Sequence, residues 1–175
     1  MTDQDTDSRL IEAYNDMMYT IKDVFESADD EISDPSLQHA LYRARERIVE
    51  LGDLTAEEAA DVSDFIKRDI NDAAEYLMET SAEFSDWLLL DIEVVERKIV
   101  DLFLSVADTT RVELDQLQQR NREAAGYMAG EVTGPGTLEC KACGKHHGYT
   151  TTSMIPACDE CGGKEFRRPD IKRLS

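Results

Sequence analysis

Basic residues are scarce in this chain, and what they leave behind is an excess of acid. Lys and Arg number 19 against 38 Asp and Glu, a formal net charge of −19, and only 7 of the 19 are Lys. A body so charged repels phosphate backbones, which excludes nonspecific nucleic acid binding by most of the chain. Aromatics are also few, at 7% with a single Trp, yet apolar residues recur at regular spacing. That regularity indicates amphipathic helices rather than a disordered polyacid. Long apolar runs are missing too. The most apolar stretch, Trp87 to Val106, is interrupted by Asp91, Glu93, Glu96, Arg97, Lys98 and Asp101, so it does not read as a membrane span. The start, Met1 to Asp7, is acidic and lacks the basic and apolar regions of a signal peptide, so a cytoplasmic location is expected. Catalytic constellations are likewise missing: no nucleophile with a base, no phosphate-binding glycine loop and no metal-ligating helix motif, and His39 has no partner at helical spacing. The chain therefore reads as a non-enzyme.

The acid is unevenly placed. Residues 1–133 carry a net charge of −21 and residues 134–175 a net of +2. The first part suits basic partner surfaces, or else presents a solvated, halophile-type surface.

Leu10, Ile11, Tyr14, Met17, Met18, Ile21, Val24 and Phe25 follow one another at steps of three and four, which predicts a first helix over 7–30. Asp34-Pro35 reads as the start of a second, whose Leu37, Leu41, Ala44, Ile48 and Leu51 form a heptad seam ending at Gly52. Thr55-Ala-Glu-Glu58 has the form of a capping box at the head of a third helix, with Val62, Phe65, Ile66, Ile70, Ala73 and Leu77 inward. Leu88, Ile92, Val95, Ile99, Leu102 and Val106 continue the spacing through a fourth. A slip in phase at 107–110 precedes a last helical stretch ending near Ala125. Trp87 to Leu90, apolar all round, predicts a buried layer or a homo-oligomer contact. The expected fold is mainly α: antiparallel helical hairpins or a bundle of four to five helices over 1–125. A glycine-rich linker over 126–136 and a small β module over 137–175, which the cysteines described next make a zinc ribbon, are expected to follow.

All four cysteines lie in the last part. Cys140-x-x-Cys143 and Cys158-x-x-Cys161, fourteen residues apart, have the spacing of a four-cysteine zinc site. Gly144 and Gly162 follow each pair, where a knuckle turn needs a left-handed residue. The expected cofactor is one structural Zn²⁺ on Cys140, Cys143, Cys158 and Cys161. Four thiolates close the coordination shell, which argues against catalysis, and iron in a rubredoxin-like centre is the alternative. Phe166 is the expected apolar plug, and His146 and His147 read as a solvated hairpin loop. Lys141, Lys145, Lys164, Arg167, Arg168, Lys172 and Arg173 either offset the dianionic metal site or contact nucleic acid.

With these residues in view, the chain resembles the YbeL-like family of bacterial zinc-ribbon-containing proteins along nearly its whole length. The resemblance is carried by Glu50-Leu-Gly-Asp-Leu-Thr55 leading into Glu57-Glu58, and by Lys67-Arg68-Asp69. Its most specific parts are Gly130-Glu131, Pro135-Gly136-Thr137-Leu138, the two knuckles and Phe166-Arg167. It implies an acidic helical part, a C-terminal ribbon with the four cysteines as zinc ligands, and no established activity. The expected partner is a protein. RNA polymerase, met through an acidic hairpin tip at Asp53, is the alternative, and nucleic acid is a further one for the ribbon alone.

Overall fold

The computed structural model describes residues 3–27, 36–79 and 126–169. Within them the apolar stripes become α1 (Asp3–Glu26), α2 (Leu37–Glu50) and α3 (Ala56–Glu79). Ala13, Tyr14, Met17, Met18 and Ile21 of α1 meet Leu37, Ala40, Leu41, Ala44 and Ile48 of α2 and Ala59, Val62, Ile66, Ile70 and Ala73 of α3 in one buried cluster. The three- and four-residue steps place these side chains on a single face of each helix, so one cluster serves all three.

Local chemistry sets the helix ends. The Ser36 side chain accepts a hydrogen bond from the His39 amide at 3.1 Å, so α2 is capped by Ser36, two residues later than the Asp34-Pro35 reading. Gly52, at φ 80°, lets the chain leave α2. The capping box forms as read: the Glu58 amide donates to Thr55 Oγ1 at 3.2 Å, and the Thr55 amide donates to Glu58 Oε2 at 2.9 Å.

The remaining described residues form six short strands, β1 (Tyr127–Met128), β2 (Val132–Thr133), β3 (Gly136–Cys140), β4 (His146–Tyr149), β5 (Ser153–Met154) and β6 (Glu165–Arg167). Four make an antiparallel sheet in the order β1-β6-β3-β4, and β2 pairs with β5. Tyr127, Leu138, Ile155 and Phe166 bury a second, small cluster together with Cys140 and Cys158.

Two expectations are corrected. Among the described residues there are three helices, not four to five, and the architecture is helix plus sheet rather than a mainly helical bundle. The fourth and fifth helical stretches and the Trp87 to Leu90 layer lie outside the described residues. Residues 126–136, expected as a linker, carry β1, β2 and the first residue of β3, and Val132 packs into the helical cluster. Strands of two residues are too short to show alternation, so glycine spacing alone suggested a tether. Gly130 at φ 95° is instead a turn residue, folding β1 toward β2.

Candidate metal centre

β3 ends on Cys140, and the chain then turns through Cys143 into β4. The Gly144 amide donates to the Cys140 carbonyl at 2.8 Å, and the Gly162 amide donates to the Cys158 carbonyl at 2.7 Å, so the two knuckles have the same form. Gly144 and Gly162 stand at φ 76° and 71°, the left-handed conformation expected of them. A third glycine is fixed by space rather than dihedral. A Cβ on Gly163 would lie 3.1 Å from Cys140 Sγ and 3.2 Å from both Ala142 Cβ and Cys161 Sγ, so a side chain here would press on the metal-site sulfurs. Its amide points to Cys161 Sγ at 3.4 Å.

The four sulfurs lie within 4.8 Å of one another and none is in a disulfide. Cys140 Sγ is 3.6 Å from Cys161 Sγ, and Cys143 Sγ is 3.7 Å from Cys158 Sγ. A regular tetrahedron with Zn–S bonds of about 2.3 Å has S–S edges of about 3.8 Å, so the spacing fits a zinc ion. The backbone N–H groups of Cys143 and Ala142 favour the Cys140 thiolate, bringing its pKa down to about 7.

Next to the sulfurs stands His147. It packs edge-on against Phe166 with ring centroids 5.5 Å apart, its Nδ1 is 3.7 Å from Asp159 Oδ1, and its Nε2 is buried with no hydrogen-bonded N or O partner among the described residues. Both histidines, expected in a solvated hairpin loop, instead lie on β4, where His146 is exposed as expected and His147 is turned inward. Alternation along β4 turns successive side chains to opposite faces, and His147 falls on the face that Phe166 fills.

Three of the ribbon's cations are engaged by its own acids. Lys145 pairs with Asp159 at 2.8 Å and Glu160 at 3.6 Å, Lys141 with Glu165 at 3.6 Å, and Arg167 with Glu139 at 2.6 Å. Lys172 and Arg173 lie outside the described residues. Arg168 turns inward, toward the helices.

There it joins a buried polar seam that sequence reasoning missed. Asp69 of α3, fully buried, accepts hydrogen bonds from the Tyr14 hydroxyl at 2.6 Å and the Gly134 amide at 2.8 Å. Arg68 reaches Glu131 and the Val132 carbonyl. Tyr127 donates its hydroxyl to Asp72 and receives a hydrogen bond from Arg168 Nε. Its ring contacts two guanidinium groups, with the centroid 3.8 Å from Arg68 Cζ and 5.0 Å from Arg168 Cζ. Burial holds the Tyr14 and Tyr127 phenols well above their ordinary pKa, so both serve as donors. One signal was available: the period that turns Ile66, Ile70 and Ala73 inward brings Asp69 to the same face.

A family model described as a zinc-ribbon containing domain matches residues 25–170. The chain belongs to this family. The protein called "Uncharacterized protein YbeL" from Escherichia coli strain K12 is 29% identical over 126 residues, covering 72% of this chain and 78% of that protein. Proteins of that name from strains O6:H1 and O157:H7 match to the same extent. No solved structure matches the chain. The zinc-ribbon family and the tetrahedral spacing of the four cysteines together support one structural zinc. Bound there, the ion supplies cross-linking between the two knuckles, and the residues that would hold it are Cys140, Cys143, Cys158 and Cys161. No helix among the described residues is long and apolar enough to cross a membrane.

Proposed function

We propose that this zinc-binding protein is a non-enzymatic, cytoplasmic interaction module. Its acidic helices bind another protein that presents a basic, partly apolar surface, and the ribbon is structural support. The observation that carries this reading is the face between α1 and α2. A groove of about 300 Å³ runs there, floored by Met17, Ala44 and Ile48. Tyr19 and Leu51 stand exposed at its edge, at 44% and 63% of their full accessibility. Around these apolar side chains the acids Asp16, Asp23, Glu46 and Glu50 outnumber the bases Arg43 and Arg47. Exposed apolar side chains inside a rim of net negative charge suit a partner with the opposite net charge and an apolar anchor. The ribbon's described ion pairs favour a protein over nucleic acid, because Lys141, Lys145 and Arg167 are already matched by carboxylates of the same module. A closed four-sulfur site supports a structural rather than a catalytic metal.

A photo-cross-linking residue at position 51 of the full, zinc-loaded chain tests the reading in cells. The expected result is a discrete protein adduct that weakens with salt and is lost in Asp23→Lys with Glu50→Lys. An adduct pattern unchanged by that charge reversal, or none, overturns it.

A second reading has one observation of its own. Leu51, Gly52 and Asp53 are all exposed at the tip of the α2–α3 hairpin, with the capping box fixing the turn behind them. An acidic tip of this kind suits insertion into RNA polymerase. Purified protein that neither binds polymerase nor changes initiation, with Asp53→Ala as the control, disposes of it.

A further inference from the structure

The metal centre and the helices meet through a short covalent and hydrogen-bonded path. From Cys161 the chain runs through the two glycines into β6, which lies between β1 and β3. Cys140, the last residue of β3, is the register partner of Phe166 on β6, and Phe166 in turn is the register partner of Tyr127 on β1. The Ala129 amide donates to the Lys164 carbonyl and the Lys141 amide to the Glu165 carbonyl, both within 2.9 Å, so the chain on both sides of β6 is tied to it. Tyr127 on β1 and Arg168, just beyond β6, are the two side chains that reach Asp72 of α3. The ribbon also supplies the Gly134 amide to Asp69, and it supplies Glu131 and the Val132 carbonyl to Arg68.

On the helical side, the same seam is an unfinished structure. α3 carries Asp69 and Asp72 three residues apart, on one face, with side chains 0% and 15% exposed. Of the partners described for these two carboxylates, Tyr14 and Arg68 come from the helices, and Tyr127, Arg168 and Gly134 come from the ribbon. Burying a carboxylate is tolerated only while its hydrogen bonds and counter-charges are in place.

We infer that zinc occupancy of the four-cysteine site controls the stability of the α1–α3 unit, through a clamp made by Tyr127 and Arg168 on Asp69 and Asp72. With the ion bound, β3 and β6 are pinned in register and the clamp is held against α3. With the ion removed, the β1-β6-β3 pairing loses its anchor, and the clamp separates from the two carboxylates. Asp69 then loses Gly134 and Arg168, and Asp72 loses Tyr127 and Arg168, the contacts that hold α3 in its present packing. The helices therefore respond to the metal although none of the four ligands lies on them. The physical warrant is a continuous chain of named contacts whose two ends are the metal ligands and the buried carboxylates. The inference holds whether or not the helices bind a partner, and its test does not use one.

The test follows the helices, not the ribbon. The full chain is loaded with zinc, or stripped by a strong chelator under reducing conditions, with bound zinc counted by a chromogenic chelator. Thermal unfolding is then read from the helical far-ultraviolet signal. The expected result is a fall in the helical midpoint on the order of 10 °C on stripping, restored by adding zinc back. Tyr127→Phe and Asp72→Asn are made in the same chain, the first removing one hydroxyl and the second one buried charge. Both are expected to keep one zinc per chain and to shrink the difference between loaded and stripped midpoints by half or more. An equal helical midpoint with and without zinc in the native sequence overturns the inference. So does a full-sized difference in both variants, which would assign the effect to apolar contacts such as Val132 in the helical cluster.

Discussion

The helical part and the ribbon solve the same problem with different means. Seventeen buried residues, Val132 of the ribbon among them, form the helical cluster, whereas the ribbon's own apolar cluster has six, two of which are cysteines of the metal site. At roughly 25 cal/mol per Å² of apolar surface, the helices gain their stability from area. The ribbon has too little area for that and depends on a cross-link. The two are joined in part by apolar contact, through Val132 and Met154 at the helical cluster, and otherwise by a buried seam of arginines, tyrosines and carboxylates. A joint of that kind specifies one docking geometry, because any other leaves charges unpaired.

Removing the cross-link is the change with the largest expected effect. Structural zinc sites are worth roughly 10–16 kcal/mol in comparable peptides, as much as the gross gain from so small an apolar cluster, which the entropy of ordering the ribbon consumes. Cys158→Ser is therefore expected to abolish stoichiometric zinc binding and unfold the ribbon, with loss of the dispersed amide signals of β3, β4 and β6 by NMR. A ribbon that stays folded in this variant would break the comparison outright, since it would show that apolar burial suffices on both sides.

The joint comes next, and it can be set against the apolar core directly. Asp69→Ala leaves Tyr14 and the Gly134 amide without an acceptor and Arg68 without one of its counter-charges. It is expected to cost about 3–5 kcal/mol, the usual penalty for breaking a buried charged network. Ile66→Val, on the same helix and equally buried, is expected to cost about 0.5–1.5 kcal/mol. Urea unfolding of the zinc-loaded chain measures both. A smaller loss for Asp69→Ala than for Ile66→Val would mean that water fills the seam and the joint is not a specific lock.

The contrast between these two residues also explains what the sequence made visible. Ile66 was placed correctly because helical periodicity is local, fixed by residue types three and four positions apart. The capping box at Thr55 and Glu58 and the knuckle glycines Gly144 and Gly162 were legible for the same reason. The seam was not: Tyr14 and Asp69 are 55 residues apart, and Asn15 and Thr152, which also tie α1 to the ribbon, are 137 apart. No spacing rule connects such pairs, and a charged residue on an inward face is ordinarily read as surface. The chain over 126–136 was missed for a different reason, since its strands acquire their identity only from partners in β5 and β6. His147 combines both failures, being placed by a strand too short to announce itself and by a ring, Phe166, nineteen positions on.

Acidity distinguishes the joint from the surface with a smaller effect and a defined sign. Burial raises the Asp72 pKa to about 6, against the pull of Arg168 and Tyr127, while the unfolded value is about 3.9. The folded state thus binds this proton more tightly. Its contribution to stability is complete below about pH 4 and is lost as pH rises through 6. Glu58 has the opposite sign: the Thr55 amide lowers its pKa, so its contribution is present above the ordinary carboxylate range and lost as pH falls. Asp72→Asn removes the first effect alone. Measured by urea unfolding between pH 5 and 7.5, the variant is expected to gain stability relative to the native sequence as pH rises. Taking the difference between the two chains cancels protonation of the cysteine ligands, which both share. A difference that is flat across this range would place Asp72 in contact with water rather than in the seam.

The smallest expected change belongs to the helical part alone. Thr55 accepts the Glu58 amide through its hydroxyl, and Glu58 returns a carboxylate oxygen to the Thr55 amide. Thr55→Ala removes one half of this exchange at an exposed helix start, which typically costs about 1 kcal/mol. For a chain of this size that corresponds to a fall of about 2–4 °C in the thermal midpoint. Nothing in the capping box touches the ribbon, and the helices remain folded at 25 °C after so small a loss, so zinc affinity is expected to stay within about twofold. That outcome would sharpen the distinction between the two regions: a perturbation confined to the helix start stays there, whereas one in the seam is felt on both sides. A marked drop in zinc affinity on Thr55→Ala would instead mean that helices and ribbon fold as one cooperative unit, with the seam only one of several routes between them.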